Sequence, residues 1–198
     1  MKTLITLTLA VLLSLPVLAQ NTESLSESEK SSLTYMAQEE KVAEDFYLEM
    51  YNTHGLSFFR SISKSESKHK ELILQVMSKF GVPSPLSGEY STAGKFKDKE
   101  LQDLYTDLLR KGSYSVLDGL IQSARFEEKD IQDLGRFMES STNEYVVSTF
   151  SKLKKVSENH LKVIVSNVKS RGADYVPATL TSEEFENIMN DSFGIARK

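Results

Sequence analysis

The sequence predicts an all-α fold, on three observations. Apolar residues recur at steps of three and four through four long stretches, the period of one helix face. No segment reads as a convincing strand. The breaks after the first and third stretches are short, whereas 81–97 collects Pro83, Pro85, Gly88 and Gly94. Short breaks favour antiparallel neighbours and the long one a crossover, so a four-helix bundle with a long helix 2 to helix 3 crossover is expected.

Helix 1 is expected to open at Ser26, three residues before Glu29, the spacing of a capping box. Its apolar face runs Leu33, Met36, Ala37, Ala43, Tyr47, Met50, and His54-Gly55 ends it. Ser57 is the expected cap of helix 2, whose stripe reads Phe59, Ile62, Glu66, His69, Ile73, Val76, Phe80 before Gly81 and Pro83 stop it. The crossover carries a short helix, Asp98 to Arg110, closed by Gly112. Helix 3 starts near Ser115 and runs to about Met138 on Leu117, Ile121, Ala124, Glu128, Ile131. After Ser141-Thr142-Asn143, helix 4 continues to about Ser170 on Val146, Phe150, Leu153, His160, Ile164, Val168. Thr181-x-x-Glu184 is a second capping-box spacing and opens a short C-terminal helix.

The first residues read as a secretory signal, with Lys2, an apolar run from Leu4 to Leu15, and Val17-Leu18-Ala19 as the cleavage site. The expected organisation is a signal peptide over 1–19, a polar linker over 20–25 and one bundle domain over 26–198, in the periplasm or the medium. No membrane association is expected once the signal is removed. The chain has no cysteine, so disulfides and lipid anchoring through cysteine are excluded and stability comes from packing or metal. The net charge is −4 with both signs interspersed, which argues against nucleic acid as a partner. Phosphate loops, GxSxG, HExxH and EF-hand loops are absent.

Acids and imidazoles inside the apolar stripes carry the functional information. Glu66 and His69 are three apart and share a face. A carboxylate in a helical core costs roughly several kcal/mol unless a cation neutralises it. Glu40 stands between Ala37 and Ala43, with Tyr47 two turns further along the same face. Helix 3 offers Glu128, with Glu127 adjacent and Asp130 further round, and helix 4 offers His160. Tyr47 reads first as a core aromatic with a bonded hydroxyl. His54, at a helix end, suits the dipole and reads as structural.

Four motifs together, Tyr35-Met36 through Glu39-Glu40-Lys41-Val42-Ala43 to Tyr47, Ser65-Glu66-Ser67-Lys68-His69, Glu127-Glu128-Lys129-Asp130-Ile131 and Ser157-Glu158-Asn159-His160-Leu161, resemble the ferritin-like superfamily. Within it the chain is similar to a prokaryotic family of exported or soluble ferritin-like domains of undefined function. The resemblance implies a carboxylate-bridged dinuclear centre, most plausibly di-iron. Glu40 would be a terminal ligand, Glu66 a bridge, His69 and His160 one ligand to each metal, and Glu128 the helix 3 carboxylate. Tyr47 would be a hydrogen-bonding or redox-active group beside the centre. The pattern departs at Ser157, where a second Glu-x-x-His would need Glu, leaving three carboxylates and two histidines.

The expected function is an exported protein binding one or two transition-metal ions at Glu40, Glu66, His69, Glu128 and His160. Mixed carboxylate and imidazole donors suit iron, with manganese or zinc as alternatives. Oxidation of ferrous iron by oxygen or peroxide is the natural chemistry of an iron pair. Its rivals are a non-catalytic bundle for partner binding or envelope assembly, and metal sequestration without turnover.

Overall fold

The computed structural model describes residues 24–191. The expected signal, 1–19, and most of the linker lie outside the described residues. Leu25, at the linker's end, is buried in the core. Six α-helices and one 3-10 turn make up the regular structure, with no strand among the described residues. They are α1 (Glu27–His54), α2 (Ser57–Lys79), α3 (Lys99–Gly112), α4 (Val116–Glu139), α5 (Glu144–Lys169) and α6 (Ser182–Asn190), with the 3-10 turn at Gly88–Ser91. No described helix is long and apolar enough to cross a membrane.

Most helix ends are set by the side chains the sequence offers. Ser26 and Thr181 each form the reciprocal capping box with the glutamate three residues on. Asn143 accepts from Tyr145 and Val146 N–H, and Ser115 from Asp118 N–H. The expected Ser57 cap is displaced by one residue: Leu56 is the N-cap and offers no side-chain acceptor. Gly55, at φ 71°, ends α1 in a conformation that costs other residues a steric penalty.

α1 lies along α2, and α4 along α5. α1 also touches α3 and α4, α2 touches α5, and α6 rests on α5. The apolar core falls into two clusters, one around Phe46, Met50, Phe59, Phe126 and Leu161, the other around Leu33, Met36, Ile73, Leu134 and Phe150. On α1, α2 and α5 the change from one cluster to the other brackets polar residues: Glu39 and Glu40, Glu66 and His69, Ser157 and His160.

Two polar anchors hold the connections. Gln38 accepts from the N–H groups of Lys97 and Asp98 at 3.0 and 2.9 Å. Lys41 Nζ donates to Asp45 at 2.6 Å and to the Thr92 carbonyl at 2.8 Å, and lies over the Phe96 ring. These bonds fasten the long crossover to the middle of α1.

Glu29 is the other tie. One carboxylate oxygen caps α1 through Ser26, while the second accepts from Ser141 Oγ and from Thr142 and Asn143 N–H at 2.7, 2.9 and 2.8 Å. Burial works against its charged form, but the bonds from Ser141, Ser26 and Asn143 win and hold its pKa down at about 2. Glu29→Ala strands two backbone donors at the α4–α5 junction and is expected to cost about 2–3 kcal/mol by urea denaturation. A carboxyl with a depressed folded-state pKa contributes its full stability above the unfolded value and loses it as pH falls. For Glu29 that loss runs from about 4.5 down to about 2, and Glu29→Gln should show a flatter stability profile across that window.

Candidate metal centre

Five side chains from four helices converge between the two apolar clusters. Glu40 comes from α1, Glu66 and His69 from α2, Glu127 from α4 and His160 from α5. They form two overlapping triads, Glu40–Glu66–His69 and Glu66–Glu127–His160, in each of which three ligand atoms lie within 4.8 Å of one another. Glu66 belongs to both. Its Oε2 is 2.7 Å from His69 Nδ1 and its Oε1 is 2.7 Å from His160 Nδ1. Glu40 Oε2 stands 3.4 Å from His69 Nδ1, and Glu127 Oε2 stands 3.7 Å from His160 Nδ1. The two imidazoles stack with centroids 5.8 Å apart and planes 20° from parallel.

This register has a local cause. Glu66 and His69 are one turn apart on α2, and its opposite face carries Lys64, Lys68 and Glu71 in water. The phase of that helix is therefore fixed, and both side chains must enter the interior. On α1, Glu40 is 1 % exposed between Ala37 and Ala43.

The donor atoms fit a cation. His69 Nδ1, His160 Nδ1, Glu66 Oε1 and Glu40 Oε1 are all buried without a hydrogen-bond partner. Each 2.7 Å nitrogen–oxygen pair lacks the alignment of a hydrogen bond, so no partner among the described residues satisfies these atoms. The 3.4 and 3.7 Å separations of Glu40 Oε2 and Glu127 Oε2 from the imidazoles are near those of adjacent ligands on an ion with bonds of about 2.0–2.2 Å, and the 2.7 Å pairs are tighter than that. Buried polar atoms are seldom left unpaired, and several in one place need an explanation.

The electrostatics agree. Burial disfavours imidazolium, but Glu40 and Glu66 outweigh it and raise His69 to about 11, while Glu66 and Glu127 raise His160 to about 10. Burial raises Glu40 to about 8 against the pull of His69, and it also raises Glu127. Glu66, buried but flanked by both imidazoles, stays well below the usual carboxylate range. In the absence of metal, two imidazolium protons supply the positive charge that this acidic cluster needs.

Tyr47 donates its hydroxyl to Glu127 Oε1. Burial, followed by the adjacent Glu127 carboxylate, pushes its own pKa well up, so it acts as a fixed donor that leaves Glu127 Oε2 facing His160. Tyr47→Phe is expected to weaken metal binding about 10-fold, the usual scale for losing a ligand's supporting bond, with little change in helicity. Equilibrium dialysis of both forms checks this.

Glu128 does not join the cluster. Its carboxylate accepts from Tyr175 Oη at 2.6 Å, from the N–H groups of Ala178, Thr179 and Leu180 at 2.9, 2.6 and 3.0 Å, and from Thr179 Oγ1 at 3.2 Å. It anchors the segment after α5, and α4's contribution to the triads is Glu127. The sequence stripe misassigned this position because α4 is buried on two faces, one towards the other helices and one under the tail. A Glu-Glu pair at the centre of a helix with small residues Ser123 and Gly119 one and two turns earlier was the available signal. Glu39 is also buried, with Oε1 2.6 Å from Lys129 Nζ, and Lys129 also reaches Tyr35 and Asp133. Glu44 pairs with Lys70. His54 donates Nε2–H to the Gly112 carbonyl at 2.8 Å, away from the cluster.

Comparison with known proteins adds a relative and a fold. An uncharacterized protein of Methanocaldococcus jannaschii, MJ0754, is 33 % identical over 170 residues, covering 86 % of this chain and 91 % of the relative. The crystal structure of that hypothetical protein matches with a TM-score of 0.83, over 90 % of this chain and 98 % of the other. Residues 29–192, which span every side chain of the two triads, match the uncharacterized protein domain DUF2202, and the chain belongs to that family.

Proposed function

We propose that this protein is an exported ferritin-like four-helix bundle, α1, α2, α4 and α5, that binds a pair of transition-metal ions with Glu66 shared between them. The two triads, each with an unpaired imidazole nitrogen facing one oxygen of Glu66, support this reading. Glu40, Glu66 and His69 would hold one ion, and Glu66, Glu127 and His160 the other. The hard carboxylates with one imidazole per ion, and no thiolate in the chain, favour iron, with manganese or zinc as competitors.

Bound as a pair, ferrous ions would supply one-electron reducing equivalents to oxygen or peroxide. The chain's own residues prepare the site for that. The two apolar clusters above and below exclude water, which strengthens every charge interaction between them. Glu66, common to both triads, would contact both ions, and the Tyr47 hydroxyl holds Glu127 in place. His160, with its side chain 13 % exposed, is the most accessible of the five.

Ferrous ion added under anaerobic conditions and then exposed to air should give a new near-ultraviolet absorption in the wild type and none in Glu66→Ala. A silent spectrum with two ions still bound would indicate sequestration without turnover. A melting temperature that ignores added metal would indicate a bundle without a metal role. Export is tested by the N-terminus of the mature chain, expected at Gln20.

A further inference from the structure

Asp130 is the acidic residue the two triads leave unexplained. It lies one helical turn after Glu127 on α4, on the same face. It is 3 % exposed, and its Oδ1 has no hydrogen-bond partner. Its neighbours are Glu40 and Glu39 from α1, Glu127 from its own helix and Ser157 from α5. Glu39 is held by Lys129, Glu40 and Glu66 by His69, and Glu127 by His160. Among the described residues no cation pairs with Asp130.

The charge count makes this more pointed. Glu39, Glu40, Glu66, Glu127 and Asp130 place five carboxylates in the interior, against Lys129 and two imidazoles. Were all five ionised, the group would be two positive charges short even with both imidazoles protonated, and burial accordingly raises Asp130, Glu39, Glu40 and Glu127 towards their neutral forms. Replacing those two protons with two divalent ions brings five negative charges against five positive. A single divalent ion does not.

We propose that Asp130 is a further metal ligand, a carboxylate on α4 that links Glu40 of one triad to Glu127 of the other at the place where α5 presents only Ser157. The proposal rests on the metal-centre reading above and extends it. Ser157 is fully buried, and its hydroxyl donates to the Leu153 carbonyl at 3.2 Å, while the adjacent Glu158 is paired with Lys154. With Asp130 the donor set becomes four carboxylates and two imidazoles, enough for two ions. Moving the acid from α5 to α4 keeps the same number of charges in the same cavity.

The test is a Co²⁺ titration of purified chain, followed by visible absorption and equilibrium dialysis, alongside thermal melts without metal. The wild type should take two ions per chain. Asp130→Asn should weaken one of them by about 100-fold and leave the other, without lowering the melting temperature of the metal-free chain. Asp130→Ser combined with Ser157→Glu should restore two ions by returning a carboxylate from α5. Two ions bound at wild-type affinity by Asp130→Asn, or an Asp130→Asn chain that melts lower without metal or fails to fold, would overturn the assignment and make Asp130 a structural acceptor. Wild type that binds no Co²⁺ would instead remove the metal centre altogether.

Discussion

Replacing Glu66 and His69 together by alanine is expected to abolish metal binding while the helices remain. Glu66 is the only residue in both triads, so its loss opens both ion positions at once, and the loss of His69 takes the only imidazole from the first. The backbone has no stake in either side chain, and alanine is the best helix former. In the wild type, metal at a hundredfold excess over its Kd should add about 2.7 kcal/mol, which for a chain of this size is a rise of roughly 5–10 °C in melting temperature. In the double variant that rise should vanish, with far-ultraviolet circular dichroism unchanged. Full stoichiometry retained by the variant would mean that the ions sit elsewhere.

The largest stability loss should come from the neighbouring pair on α4. Glu128→Ala leaves the N–H groups of Ala178, Thr179 and Leu180 and the Tyr175 hydroxyl without their acceptor. Stranded donors and a lost charge-assisted network together cost about 3–5 kcal/mol. The variant should unfold at clearly lower urea yet bind metal with wild-type stoichiometry. Glu127→Gln should behave in the opposite way, losing metal with little loss of urea resistance. Two adjacent glutamates thus separate the work of holding the tail from that of holding a cation. Identical phenotypes for the two variants would undo that division.

How much of this could be read from sequence depended on how many faces of each helix are covered. α2 is covered on one side, so the stripe from Phe59 through Glu66 and His69 to Val76 gave the inward face without ambiguity. α5 placed His160 for the same reason. α4 is covered by α1, α3, α5 and the tail, so nearly its whole circumference is buried and hydrophobic spacing no longer marks one direction. The stripe Leu117, Ile121, Ala124, Glu128 lies about one residue round from the face that meets the other helices, where Leu120, Ser123, Glu127 and Asp130 lie. The capping signals at Ser26, Ser115, Asn143 and Thr181 were legible because each acts within four residues of sequence. The bonds from Gln38 and Lys41 to the crossover, and from Glu128 to the tail, join residues 47 to 60 positions apart, and no local pattern announces them.

The division of the five candidate ligands between helices also bears on the order in which the molecule assembles. Glu40, Glu66 and His69 all belong to α1 and α2, a single hairpin joined by a two-residue link, whose contacts are close in sequence and quick to form. Glu127 and His160 belong to α4 and α5, a second such hairpin. One triad of candidate ligands is thus drawn from the first half of the chain alone. The other is assembled only where the halves meet, because it borrows Glu66 across the seam, and an ion seated there would clasp the two hairpins together.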